Sequence, residues 1–147
     1  MQIRPAADSD FASIISLLCT AGLPVHDLSS GERYRFEVLL EASGQPAGAC
    51  AVEPRGNYGL LRSLVVSRDF QGLGYGRKLV ESVETSACGL GISELYLLTE
   101  TAESFFHNLG YQPVDREAVP QEIRLTTEFS SICPDSAACL MKYLNRD

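Results

Sequence analysis

Glycine takes every second position in Gln71-Gly72-Leu73-Gly74-Tyr75-Gly76-Arg77, and that stretch limits what the chain can fold into. It follows the apolar run "LLRSLVV" and precedes "KLVESVETSA", in which Leu79, Val80, Val83 and Ala87 recur on one face of a helix. Gly89 and Gly91 end that helix, and "ISELYLL" at 92–98 then has the length and composition of a buried strand. Strand, glycine loop, helix and strand make one crossover, so residues 58–67 and 92–98 are expected to be parallel neighbours in one sheet. An all-helical or purely antiparallel fold is thereby excluded.

The remaining elements fit around this unit. Residues 2–4 read as a short strand. Phe11, Ile14, Ile15, Leu17 and Leu18 follow the cap signals Asp8, Ser9 and Asp10 at helical spacing up to Gly22. Strands are predicted at 34–42 and 47–53, divided by Ser43-Gly44-Gln45-Pro46; the turn Pro54-Arg55-Gly56-Asn57 leads into 58–67, completing an antiparallel meander. A helix at 102–109 stops at Gly110, and 111–114 and 139–144 are the last strand candidates. Between them, 115–138 is long for a loop and is expected to hold short helical turns.

The chain has 147 residues, enough for one mixed α/β domain spanning 1–147. Its net charge of −7 argues against a general nucleic-acid or membrane-surface binder while leaving room for a local basic pocket. No apolar leader and no run approaching 18 apolar residues is present, so neither a signal peptide nor a membrane span is expected. The five cysteines, Cys19, Cys50, Cys88, Cys133 and Cys139, are odd in number and lack Cys-x-x-Cys or Cys/His ligand spacing. Free thiols in a reducing cytoplasm, with no disulfide framework and no metal site, are the expectation.

A glycine-rich turn that opens a helix presents backbone N–H groups and the positive helix end to a phosphate. Of the known loops, the dinucleotide fingerprint would need glycine at Arg77, and a Walker A loop fails on spacing and on its hydroxyl. The pattern Gln/Arg-x-x-Gly-x-Gly/Ala, met by Gln71, Gly74 and Gly76, is that of an acyl-CoA pyrophosphate loop.

Here the chain resembles the GNAT superfamily of acetyl-CoA-dependent N-acetyltransferases. "LVVSRDFQGLGYGRKLV" is similar to the family's strand–loop–helix segment, and "ELYLLTETAESFFHNLGY" to its following strand and second helix. The resemblance implies the GNAT fold: a mixed sheet of about six to seven strands, strands four and five splayed, helices on both faces. It implies acetyl-CoA as cosubstrate. The pyrophosphate would lie on the amides of Gly72, Leu73, Gly74, Tyr75, Gly76 and Arg77, with Gln71 beside them and Arg77 and Arg68 adding charge. The pantetheine would run along Leu64, Val65 and Val66, with the Val66 N–H polarising the thioester carbonyl. Thr99 stands where many relatives place asparagine.

The family's proton-transfer groups look altered. No carboxylate lies between Tyr58 and Ser67, where relatives carry a glutamate, and Phe106, which would flank the cofactor, replaces the tyrosine acid. His107, Glu53 and Glu100 are the candidate replacements. His107 follows Phe106 directly, so it points about 100° away on the helix. Positioning and carbonyl polarisation can also carry much of the catalysis.

On the acceptor side, Arg62 lies in an apolar strand and needs a partner, either a substrate carboxylate or an internal one such as Glu100. Ser63 is its neighbour. The C-terminal stretch "VPQEIRLTTEFSSICPDSAACLMKYL" is similar to that of the arsenic-resistance, ArsN-type subgroup, and the catalytic part also resembles short N-acetylglutamate synthases. Both resemblances imply a small acidic amino acid as acceptor, glutamate or a mimic such as arsinothricin or phosphinothricin. Arg62, Arg124, Thr126 and Thr127 would anchor it, and a role in arsenic resistance would follow. Cys133 and Cys139 read as core thiols rather than ligands of trivalent arsenic. A catalytically weak acyl-CoA-binding module and a protein N-acetyltransferase are the alternatives. The resemblance is compatible with a monomer or a homodimer.

Overall fold

The computed structural model describes the chain except for Ser30, Glu32, Cys133, Pro134, Asp135 and residues 145–147, with backbone alone at Ser131 and Ile132. Seven strands form one sheet: β1 (Gln2–Pro5), β2 (Arg35–Leu40), β3 (Pro46–Arg55), β4 (Tyr58–Val66), β5 (Glu94–Thr99), β6 (Gln112–Pro113) and β7 (Ala138–Tyr143), in the order β1-β2-β3-β4-β5-β7-β6. The helices are α1 (Phe11–Thr20), α2 (Tyr75–Gly89), α3 (Glu103–Asn108) and α4 (Gln121–Arg124). This is the mixed sheet expected, with the meander β2–β4 and the parallel β4/β5 pair in their predicted places, and β1 added antiparallel beside β2. None of the described helices is long and apolar enough to cross a membrane.

Helices cover both faces. Leu79, Val80, Val83 and Ala87 of α2 pack with Leu61, Leu95, Leu97 and Phe106 on one face. The opposite face is covered in two pieces. Ile14 and Leu18 of α1 cover Phe36, Val38, Ala49 and Ala51, while Ile123 of α4 and Phe129 cover Leu60, Tyr96, Leu98 and Met141. The boundary between the two pieces runs over the middle of β4.

Element ends differ from the sequence-based reading where turns are tighter than composition suggests. β3 runs to Arg55, which pairs with Tyr58, so the turn is only Gly56-Asn57, with Gly56 at φ 63°. The Asp8-Ser9-Asp10 signal forms its own 3-10 turn, closed by the Ala7 N–H donating to Asp10 Oδ2 at 2.8 Å. Residues 115–138 do hold short turns: a 3-10 turn at Arg116–Ala118, α4, and a π turn at Glu128–Ile132.

Two irregularities shape the centre of the sheet. β4 pairs with β5 only at Tyr58↔Glu94, Gly59↔Leu95 and Leu60↔Tyr96, after which the strands part. On its other edge β4 carries a bulge: Ala49 faces Val65 and Ala51 faces Arg62, so Ser63 and Leu64 together oppose Cys50. A bulge adds twist and re-aims side chains. Ser63 holds φ 60°, the left-handed region, uniquely among the described non-glycine residues. Close approach is also required one step along, where a Cβ on Gly48 would sit 2.8 Å from the Val65 carbonyl oxygen.

Backbone cannot retreat there without breaking the β3/β4 ladder. Gly48→Ala is therefore expected to destabilise the fold by about 1–3 kcal/mol, as overpacked interior sites do. A lower urea midpoint with an unchanged m-value would register it.

Candidate active site

The parting of β4 and β5 opens a pocket of about 150 Å³, lined from β4 by Leu61, Arg62, Ser63 and Leu64 and from β5 by Leu97, Leu98 and Thr99. Leu23 and Pro24 close one side, Ala102 and Phe106 another, and Glu128 a third. Successive residues of a strand aim their backbone groups to opposite edges. The Ser67 N–H donates to the Ala47 carbonyl on the β3 side, so the Val66 amide faces the edge that β5 has left. The Gln71 side chain reaches the same edge and donates to the Val66 carbonyl at 2.9 Å.

Beyond Gln71 the chain passes through Gly72 at φ 77° and Gly74 at φ 87°, and α2 begins at Tyr75. Such φ angles favour glycine. A Cβ on either glycine would meet nothing within 4 Å, so these positions are bare because of their backbone angles and not because protein crowds them. A Cβ added at Gly76 would meet the Phe105 ring at 3.4 Å. The first intrahelical bond runs from Lys78 N–H to the Gly74 carbonyl. Among the described residues the amides of residues 72–77 have no acceptor, which leaves a row of N–H groups at the positive end of a 15-residue helix. Arg77 is exposed, its Nε 3.6 Å from Glu81. Thr99 ends β5 and accepts the Ala102 N–H on Oγ1 at 3.0 Å, starting α3. Phe106 is buried, edge-on to Phe105 and Tyr111. Val65 turns to the α1 side, where Leu17, Thr20, Val66, Arg68 and Gln71 line a second groove beside the loop.

Arg62 is the charged centre of the pocket, its side chain 1% exposed. Its partners are internal. Both terminal nitrogens reach Asp27, at 2.5 and 2.9 Å, and Nε lies 3.3 Å from Ser63 Oγ and 3.4 Å from Glu128 Oε2. Glu53 Oε1 is 3.8 Å away, and the guanidinium stands over the Tyr34 ring at 5.4 Å. Burial opposes the charge, yet the Asp27 hydrogen bonds and the Glu128 and Asp27 charges hold the Arg62 pKa above its ordinary value. Burial pushes Asp27 up, and the Arg62 hydrogen bonds and charge outweigh it, leaving that carboxyl below the usual range. Tyr34, which donates to the Asp27 carbonyl at 2.8 Å, is raised by burial and by the Glu53 and Asp27 charges.

Several candidate residues lie elsewhere. The internal partner of Arg62 is Asp27 with Glu128, not Glu100, because Glu100 sits exposed in the bend after β5. His107 turns into a separate hollow with Glu103, Asn108 and Pro113, as its helical offset from Phe106 requires. Glu53 is fully buried outside the pocket and takes Arg55 on Oε2 at 2.6 Å. Arg124 is exposed on α4. Thr126 is buried, donating to the Ile123 carbonyl at 2.7 Å and accepting the Phe129 N–H at 3.4 Å, so its hydroxyl ties a turn and does not line the pocket. Cys139 is buried and its thiol pushed up to about 11 by that burial; Cys133 lies outside the described residues. Asp27 and Glu128 were missed by sequence reasoning, since no local motif marks either.

Residues 33–113 match the acetyltransferase (GNAT) domain family. The chain is 34% identical over 110 residues to an uncharacterised N-acetyltransferase of Chlorobaculum tepidum, covering 74% of this chain and 68% of that one. It is 28% identical over 130 residues to the amino-acid acetyltransferase of Pseudomonas aeruginosa, covering 81% of this chain but only 29% of that protein. Among solved structures it is similar to an N-acetylglutamate synthase from Neisseria gonorrhoeae complexed with coenzyme A and N-acetyl-glutamate, with a TM-score of 0.80 and 25% identity. That match covers 99% of this chain and 35% of the synthase, so the chain spans about a third of that protein's length.

Removing one member of a buried ion pair leaves the other charge uncompensated, at a cost of about 3–5 kcal/mol. Arg62→Ala is expected to lose that order of stability in urea unfolding at neutral pH. Because the folded-state pKa of Asp27 is depressed, its contribution is present above the ordinary carboxylate pKa and vanishes as pH falls through the lower folded value. The stability gap between wild type and Asp27→Asn should accordingly shrink on acidification, in unfolding curves taken at neutral pH and near pH 3.

Proposed function

The chain belongs to the acetyltransferase (GNAT) domain family, and from that premise we propose that it carries the acetyl group of acetyl-CoA to the amine of a small amino acid. One observation carries the reading: a row of open amides at the mouth of α2 stands beside a strand whose edge has been vacated. The two features fit the two halves of coenzyme A, a diphosphate and an extended arm rich in amides.

On this reading the 147 residues act as one catalytic domain. The amides of residues 72–77 would receive the pyrophosphate, helped by the helix end and by Arg77. The pantetheine would add to β4 along Leu64, Val65 and Val66, as an extended peptide adds to a sheet edge. The Gln71 side chain holds the Val66 peptide, steadying its N–H as donor to the thioester oxygen. One such donor is worth on the order of 2–4 kcal/mol of barrier. Phe106 and Thr99 would flank the sulfur end of the arm.

The acceptor class is supported by the relatives' names, amino-acid acetyltransferase and N-acetylglutamate synthase. The C-terminal resemblance to ArsN-type proteins narrows it to glutamate or an acidic mimic such as arsinothricin or phosphinothricin, in a cytoplasmic resistance role.

Purified protein with acetyl-CoA is expected to release free thiol with at least one member of a panel of amino acids and glutamate analogues. Coenzyme A binding without turnover of any amine would instead leave an acyl-CoA-binding module, and a strong preference for peptides would leave a protein acetyltransferase. Gly74→Ala, forced to hold an L-residue at φ 87°, should weaken coenzyme A binding roughly tenfold by calorimetry, about 1.4 kcal/mol.

A further inference from the structure

The acetyl-transfer reading leaves the amine without a proton acceptor, and the pocket walls answer that need. Among the described lining residues Glu128 is the one carboxylate, and Arg62 the one base. Glu128 is 6% exposed and starts the π turn Glu128–Ile132. That turn is fastened on both sides. The Ser130 N–H donates to the Thr126 carbonyl at 2.9 Å, and Phe129 is buried beneath the Arg116 guanidinium at 5.4 Å from its ring. A carboxylate on so fixed a turn has a defined position in the pocket.

The remaining acidic groups are engaged away from it. Asp27 holds both terminal nitrogens of Arg62 and does not line the pocket. Glu53 is enclosed with Arg55, and Glu100 is exposed beyond β5. Among the described residues, the charged and titratable groups near Glu128 include Arg62 on β4 with Asp27 behind it, Glu53 on β3 at 3.8 Å from Arg62, and Tyr34 beneath the guanidinium. Asp27 occupies both terminal nitrogens of Arg62, so Arg62 meets Glu128 through Nε, 3.4 Å from Oε2.

Resting on the acetyl-transfer reading, we infer that Glu128 is the group that receives the acceptor's ammonium and takes its proton, held in place by the Asp27–Arg62 pair. One proton passes from the bound ammonium to the Glu128 carboxylate, and the nitrogen lone pair then forms the C–N bond to the thioester carbon. The tetrahedral intermediate collapses with cleavage of the C–S bond. The second nitrogen proton goes to the departing thiolate, and Glu128 returns its proton to solvent. Glu128 is thus a catalytic residue, and Arg62 a positioning residue acting through it. The same arrangement makes the pocket a receptor for a cation at the attacking end of the acceptor, whatever anion the acceptor carries at its far end.

Glu128→Gln is the test, with acetyl-CoA turnover followed on the best acceptor of the panel. The expected result is a fall in kcat of about a hundredfold at neutral pH, typical for loss of a proton-transfer group. Coenzyme A affinity by calorimetry should be unchanged, and Glu128→Asp should recover part of the rate. The pH profile separates chemistry from structure. The Glu128→Gln deficit should shrink as pH passes the acceptor's own ammonium pKa, because the amine then arrives already neutral, whereas a folding defect would persist at every pH. Turnover by Glu128→Gln within threefold of wild type, or a deficit that does not vary with pH, overturns this assignment and leaves the acetyl-transfer reading standing. A wild-type protein that releases no thiol with any acceptor overturns both.

Discussion

The structure depends on a strand that loses its neighbour partway along. β4 and β5 hold three residue pairs and then separate, so the far half of β4 runs through the protein with a ladder on one edge only. Interior amides left without a partner cost about 1–3 kcal/mol each. A fold that keeps such an edge must gain elsewhere, and here the gain comes from well-packed layers on both faces. The bulge at Ser63, the Gln71 contact to Val66 and the left-handed glycines before α2 all follow from keeping that edge open and correctly aimed. Strain of this kind, about 1–3 kcal/mol at a non-glycine residue in the left-handed region, gathers where a ligand is to be met.

The crossover unit was legible because its signals are local. The change from strand-like runs to the period of Leu79, Val80, Val83 and Ala87 sets the helix, and the glycines between set the loop. Burial of exactly those four side chains matches the periodicity, as an amphipathic face should. Right-handed crossover geometry then makes β4 and β5 parallel neighbours. The position of β7 between β5 and β6 was not legible, because nothing local distinguishes an edge strand from an inserted one when both are short. Residues 115–138 read only as turns, since each of their helical pieces is shorter than a period-based signal needs.

The acceptor side was less legible for a different physical reason. The need of Arg62 for a partner can be argued from burial cost alone, but the partner cannot be named from spacing. Asp27 stands 35 residues before Arg62, in a stretch that reads as punctuation, and Glu128 lies on a turn after α4. Both elements reach Arg62 because the outer face of the sheet is covered in two pieces that meet above β4. The arginine joins them, so its pairing is a consequence of layer packing. Thr126 illustrates the converse: its hydroxyl invites a substrate contact, yet a short turn needs that same hydroxyl to satisfy backbone groups.

The two ends of the pocket therefore hold different electrostatics. Toward the loop the groups are amides and a helix end, all positive in character, suited to a diphosphate and to a carbonyl oxygen gaining charge. Around Arg62 the pocket wall carries a carboxylate, Glu128, beside an arginine whose terminal nitrogens are already taken by Asp27. Phe106 offers no proton where a tyrosine could, and on the proposed chemistry that is the cheaper omission. A thiol with an ordinary pKa near 8.5 leaves readily as its anion, whereas an ammonium cannot attack until a proton is removed. A site short of one proton-transfer group can dispense with the acid at sulfur and must keep the base at nitrogen, the role proposed for Glu128, the one pocket-lining carboxylate among the described residues.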